Sequence, residues 1–189
     1  MRVIAGKYRS RPLRSLRDVD IRPTADKLRQ TLFNILTAGN PEALQGAIWL
    51  DLFAGTGAVG IEALSRGASM VHFVESSPQA AELILQNLSS LKIATNFRIL
   101  KQDVARGIRT IVGGPSIVDF VFLDPPYQMH EAYSQTFTAL AQTDLLKPDA
   151  LVIAEHEKRF DPGEECGDFQ RFRKLEQGDA VLSFYRKKQ

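Results

Sequence analysis

Cysteine is almost missing from this chain: its 189 residues contain one, Cys166. A single thiol excludes an intrachain disulfide framework and a cysteine-rich zinc site, and it suits a reducing compartment, so a cytoplasmic protein is expected. Histidine is scarce as well. His72, His130 and His156 are scattered and make no metal-ligand spacing, so no metal is expected. No apolar stretch approaches the roughly 18 to 20 residues that span a bilayer, and no membrane role is expected. The first residues, Met1-Arg2-Val3-Ile4-Ala5-Gly6-Lys7, lack the apolar region of a secretory signal. Internal repeats and low-complexity tracts are missing too.

What is present is a hydrophobic fraction of 44% arranged in regular runs, enough to bury a sizeable core. The length suits a single domain over residues 1–189, expected as a monomer, with an N-terminal extension at 1–22 and an α/β core at 23–189. The net charge of +2 conceals an asymmetry. Residues 1–29 carry nine Lys/Arg against three acids, a local +6, while the remainder carries fifteen against nineteen, or −4. A basic arm ahead of a mildly acidic body suits a polyanion such as nucleic acid. The expected contacts are Arg2, Lys7, Arg9, Arg11, Arg14 and Arg22, and the arm itself reads as a small hairpin or irregular segment.

Beyond the arm, Pro23-Thr24 opens a helix with Leu28, Leu32, Ile35 and Leu36 at helical spacing; Thr24 is placed to cap it or to face a ligand. Strands follow at 47–51, 70–75, 97–100, 117–123 and 149–155, separated by helices at 58–66, 78–91 and 131–143. The tail offers Phe169 to Leu175 and Ala180 to Arg186 around a Gly178-Asp179 turn, an antiparallel pair. Continuous apolar strands alternating with helices imply a mostly parallel sheet with helices on both faces.

Two stretches carry chemistry. Gly55, Gly57 and Gly60 fit G-x-G-x-x-G between a strand and a helix, where glycine permits a sharp turn and close approach of a ligand to the main chain. Asp51, Glu75, Asp103 and Asp124 each close an apolar run, so all four are expected on the carboxyl rim of the sheet, where open α/β sheets bind ligands. Glu75 suits ribose hydroxyls or is an ordinary strand end. Asp103 suits an adenine amine or caps a helix. The second stretch is Asp124-Pro125-Pro126-Tyr127. Its prolines stiffen the backbone and remove two N–H donors. The Asp124 carboxylate and the Pro125 carbonyl are then left to hold both hydrogens of an exocyclic amine, with Tyr127 spaced to stack on a planar base.

Asp51-Leu-Phe-Ala-Gly-Thr-Gly57 together with Asp124-Pro-Pro-Tyr127 resembles the class I S-adenosylmethionine-dependent amino-methyltransferases. Arg2 to Gly6, Arg22-Pro-Thr24 with Arg29, Phe33-Asn-Ile-Leu36 and Phe73-Val-Glu75 resemble, more narrowly, the RsmD family, which methylates guanine N2 in 16S ribosomal RNA. Trp49 departs from the smaller aliphatic residue common there and concerns packing. The resemblance implies a Rossmann-like, seven-stranded, mostly parallel sheet whose last strand is antiparallel. It implies S-adenosyl-L-methionine as cofactor, with Gly55 and Gly57 near its methionine part, Glu75 at the ribose and Asp103 at the adenine; Asp51, Phe53 and Thr24 complete the expected cofactor set. Asp124, Pro125 and Tyr127 are the expected catalytic group on a flipped guanine. Small-subunit ribosomal RNA is the expected partner, free or in the 30S particle. Three rivals stand beside this reading: an adenine-N6 methyltransferase of DNA or RNA, a nicotinamide-dependent dehydrogenase, and a non-enzymatic RNA-binding module.

Overall fold

The computed structural model describes residues 1–15, 23–112 and 118–188. Its strands are β1 (Ile48–Leu52), β2 (Met70–Val74), β3 (Phe97–Leu100), β4 (Val118–Leu123), β5 (Leu146–Glu157), β6 (Glu165–Cys166), β7 (Phe169–Gln177) and β8 (Ala180–Lys187). Its helices are α1 (Pro23–Leu36), α2 (Ala58–Ser65), α3 (Pro78–Ser90), α4 (Val104–Val112) and α5 (Glu131–Ala141). The strands form one sheet in the order β3-β2-β1-β4-β5-β8-β7-β6. The pairs β3–β2, β2–β1, β1–β4 and β4–β5 are parallel, and β8 enters antiparallel between β5 and β7. Strand order therefore reverses between β1 and β4, the crevice at which sheets of this kind hold their ligands.

The last strand is antiparallel as expected, but among the described residues eight strands are present where seven were implied. The additional one is β6. Gly167 has φ +59°, so a tight turn folds Glu165-Cys166 back onto Phe169-Gln170. Two residues are too few to show a period of two, which is why the sequence pattern does not reveal the strand. Cys166 is buried there against the core.

Each face of the sheet has its own core, as uninterrupted apolar strands require. On one side α1, α2 and α3 bring Leu32, Phe33, Ile61, Ile84 and Leu88 onto Trp49, Phe73 and Phe122. On the other, α4 and α5 bring Ile108, Ile111, Tyr133, Phe137 and Leu140 onto Leu50, Val121 and Tyr185. Trp49 is fully buried and lies between Phe33 and Phe120, with ring centroids 5.4 and 5.5 Å away. It thus fills space in the core, in keeping with a packing substitution. Thr24 sits in the first turn of α1, behind Pro23, and not ahead of the helix as a cap. Proline suits that position because the first helical N–H has no partner inside the helix. No helix among the described residues is long and apolar enough to cross a membrane.

The N-terminal segment is a hairpin-like loop, with Arg2 bridged antiparallel to Pro12, and it does not hang free. Glu62, fully buried in α2, accepts from the Ile4 N–H at 2.7 Å, the Ala5 N–H at 2.9 Å and Arg66 Nε at 2.8 Å. Ser65 receives the Tyr8 N–H on its hydroxyl at 3.0 Å, and its carbonyl receives the Lys7 N–H at 2.7 Å. Hydrogen bonds to a charged acceptor contribute about 1.5–3 kcal/mol each, so this carboxylate is the main anchor of the arm.

Candidate methyl-transfer site

The glycine loop leaves β1 at the switch point. Phe53, Gly55 and Gly57 all have positive φ (58°, 54° and 74°), which folds the chain sharply before α2 begins. Phe53 is half-buried and packs on the α4–α5 side of the core. A Cβ placed on Gly55 would meet only the loop's own Phe53 carbonyl, at 3.9 Å, so the space above this main chain is open to a ligand. Gly60 is different. Its Cβ would lie 2.4 Å from Phe73 Cε1 and 2.9 Å from Asp51 Oδ2. The third glycine of the motif therefore serves the close packing of α2 on β1 and β2, and not the approach of a ligand.

Carboxylates hold this loop from below. Asp51 is buried in β1 and accepts the Gly60 N–H at 2.9 Å, which ties the strand to the first turn of α2. Glu75, at the end of β2, accepts the Gly55 N–H at 2.8 Å on one oxygen and the Ser77 N–H at 2.8 Å on the other. It joins the glycine loop to the start of α3, and each oxygen keeps a lone pair for a hydroxyl donor. Asp103 accepts the Arg106 N–H at 2.9 Å and so caps α4. Asn87 of α3, fully buried, closes the loop from behind: its amide nitrogen donates to the Thr56 carbonyl at 3.0 Å.

One strand over, β4 ends at Leu123, paired with Leu52 of β1, so Asp124 begins the next segment beside the glycine loop. Pro125 is buried, Pro126 is exposed and Tyr127 is 43% exposed at the rim. Burial pushes the Asp124 carboxyl up to about 7. Asp51 is also held well above the ordinary carboxylate range, chiefly by burial and further by the charges of Asp124 and Glu75. Three of the four rim acids are therefore close enough to sense one another. An anionic ligand is disfavoured there, and a cationic or donor-rich one is favoured.

Around this centre Arg2, Lys7, Arg9, Arg11 and Arg14 are all exposed on the docked arm. Arg22 lies outside the described residues, as does the side chain of Thr24. Four residues of this neighbourhood were not singled out from the sequence, Glu62, Ser65, Asn87 and Glu155, and Arg29 entered only among those that carry the family resemblance. For Glu62 a signal exists, since one acid inside the apolar run Ile61-Glu62-Ala63-Leu64 is costly unless it is paired.

The parallel sheet, the glycine loop at its switch point and the donor-free corner beside it define a Rossmann-like class I methyltransferase. The family described as "Conserved hypothetical protein 95" matches residues 1–186. The chain is 38% identical to Ribosomal RNA small subunit methyltransferase D of Haemophilus influenzae over 159 residues, 84% of this chain and 79% of that one. It is 34% identical to the Escherichia coli K12 protein of the same name over 157 residues, 83% of this chain and 75% of that one. Among solved structures it is similar to the Escherichia coli chain yhhF, a provisionally named methyltransferase, with TM-score 0.80 and 27% identity over 100% of this chain and 98% of that one. The chain belongs to this family, that of the RsmD-type ribosomal RNA methyltransferases. Its cofactor is that of the family, S-adenosylmethionine, and the open main chain at Gly55 with the Glu75 carboxylate beneath it fits such a group.

Proposed function

We propose that this chain methylates the exocyclic N2 amine of a guanine in small-subunit ribosomal RNA. The observation that carries the reading is the Asp124-Pro125-Pro126-Tyr127 corner closing β4 next to the glycine loop of β1. When bound, S-adenosylmethionine supplies an electrophilic methyl group. In this reading Gly55 and Gly57 admit its methionine part, Glu75 accepts from its ribose, and Asp51, Phe53, Asp103 and Thr24 surround the remainder.

Asp124 and the Pro125 carbonyl accept the two hydrogens of the amine. Its nitrogen lone pair is delocalised into the ring and nucleophilically weak, so acceptors that fix both hydrogens turn the lone pair out of conjugation and along the line of transfer. Positioning of this kind contributes several powers of ten in rate. Asp124 lies near neutrality through burial, and its carboxylate is suited to take the proton that the amine sheds. Tyr127, exposed at the rim, stacks on the base once it has left its helix or loop. The exposed arginines and lysine of the arm meet phosphates and set affinity without reading sequence.

The test is incubation with methyl-labelled S-adenosylmethionine and small-subunit RNA or 30S particles, followed by nucleoside analysis. Label in N2-methylguanosine supports the reading. Label in N6-methyladenosine, or none in RNA, overturns it.

A further inference from the structure

The corner at Asp124 offers acceptors to an amine, and guanine and adenine both carry one. A second group is needed to tell the two bases apart, and the sheet places one beside Asp124. In the β4–β5 ladder Phe122 pairs with Ile153 and Leu123 with Ala154, so the next rung sets Asp124 next to Glu155. Side chains alternate along a strand, and Phe122 and Ile153 face the α1–α3 side of the core. Two residues on from Phe122 and Ile153, and one rung beyond Leu123 and Ala154, Asp124 and Glu155 return to that same side, both only partly buried at the rim. The main chain of Glu155 is held by the Tyr133 hydroxyl, which donates to its carbonyl at 2.7 Å.

A buried cation stands behind the pair. Arg29 of α1 is 5% exposed; its Nη2 donates to the Arg2 carbonyl at 2.6 Å and to Asp26 at 2.9 Å, while its Nε makes no hydrogen bond and lies 3.9 Å from Glu62 Oε2. Burial and the Asp124 charge raise the Glu155 carboxyl, and the Arg29 charge opposes them. The rim thus holds two adjacent carboxyls on one face with a desolvated guanidinium to support negative charge there. N–H donors arriving from a ligand favour the ionised forms further.

Resting on the reading of the site given above, we propose that Glu155 is the specificity-determining residue, its carboxylate accepting the N1–H of the target guanine while Asp124 and Pro125 hold the N2 amine. Guanine presents N1–H and N2–H as adjacent donors, which match two adjacent acceptors. Adenine presents the N1 lone pair beside its amine, which sets acceptor against acceptor in a partly desolvated site. A site built to hydrogen-bond a substrate N–H discriminates strongly against an analogue lacking it, because its own polar group is then left unpaired.

The test uses the full-length protein and RNA carrying either guanine or 2-aminopurine at the position that is methylated. 2-Aminopurine keeps the amine at C2 and has a bare N1. The wild type is expected to prefer guanine by at least about 100-fold in kcat/KM. In Glu155→Gln the amide can donate to N1, and the preference is expected to shrink about tenfold or more, with cofactor affinity unchanged. A merely structural role would lower activity on both RNAs together and leave their ratio intact, which would overturn the proposal. The wild-type arm stands without the variant: equal methylation of both RNAs also overturns it. Failure of the underlying reading is a different result, with N6-methyladenosine as the product or no methylated nucleoside at all.

Discussion

Asn87 joins the basic arm to the cofactor loop, and replacing it by leucine tests that link. Its side-chain oxygen accepts the Arg14 N–H at 2.8 Å, and its amide nitrogen donates to the Arg14 carbonyl at 3.1 Å and to the Thr56 carbonyl at 3.0 Å. Leucine has the same number and branching of side-chain heavy atoms with somewhat more bulk, so Asn87→Leu opens no cavity and its cost is at least that of the three lost hydrogen bonds. At about 1 kcal/mol each the loss is about 3 kcal/mol, with the Arg14 N–H left unpaired beside the core. For a urea m-value of about 2 kcal/mol/M, the unfolding midpoint falls by about 1.5 M. Glu62 and Ser65 still hold residues 4–8, so only the distal part of the arm comes loose. Three measurements follow: urea unfolding, limited trypsin cleavage after Arg14, and titration with S-adenosylhomocysteine. The midpoint should fall, cleavage should quicken, and affinity should weaken because the Thr56 carbonyl in the glycine loop has lost its donor. An unchanged midpoint and cleavage rate would refute the role of Asn87. An unchanged affinity alone would refute the link to the loop.

The Asp124 carboxyl must be ionised to accept from the amine, so kcat/KM is expected to rise with pH through about 7 and then level off; a flat profile from pH 5.5 to 8.5 would contradict this. Because its folded value lies above its ordinary value of 3.8, Asp124 favours the folded state at low pH, and that advantage is lost as pH rises from about 4 through about 7. Asp124→Asn should therefore unfold at a higher urea concentration than the wild type at pH 8, a gain that should vanish at pH 4. Replacing Arg9, Arg11 and Arg14 together should reduce the slope of log affinity against log salt by about 2 to 3 for RNA, and an unaltered slope would remove the arm from the footprint. Gly60→Ala forces a methyl group against Phe73, Val71 and Asp51 and should cost about 1–3 kcal/mol, measured by thermal unfolding; a neutral outcome would mean that α2 shifts freely on the sheet.

The parts of the site that follow from local chemistry were legible in the sequence. The strand–glycine–helix transition and the two prolines after Asp124 fix their own backbones, and both lie where the pattern puts them. Of the two acids with open alternatives, Glu75 holds the glycine loop from the end of β2 and Asp103 caps α4. What remained hidden depends on contacts between distant segments. Arg9, Arg11 and Arg14 read as part of a small hairpin or irregular arm, but nothing near residue 5 announces that Glu62 accepts its N–H. The signal lay some 57 residues away, in one acid inside an apolar helix. Gly60 read as part of a ligand loop because its spacing fits, and only the position of Phe73 shows that it is a packing glycine. Glu155 was within reach of the rule that found Asp124, since it too closes an apolar strand run. It becomes notable only when the β4–β5 register sets it at Asp124's side.

In the proposed reaction the Asp124 carboxylate orients the reacting amine and does not serve to hold the cofactor. The most direct measurement is the single-turnover rate of methyl transfer by Asp124→Ala, at saturating S-adenosylmethionine and RNA. A fall of about a thousandfold or more is expected, with the cofactor dissociation constant within a few-fold of wild type. A rate within a few-fold of wild type would contradict it.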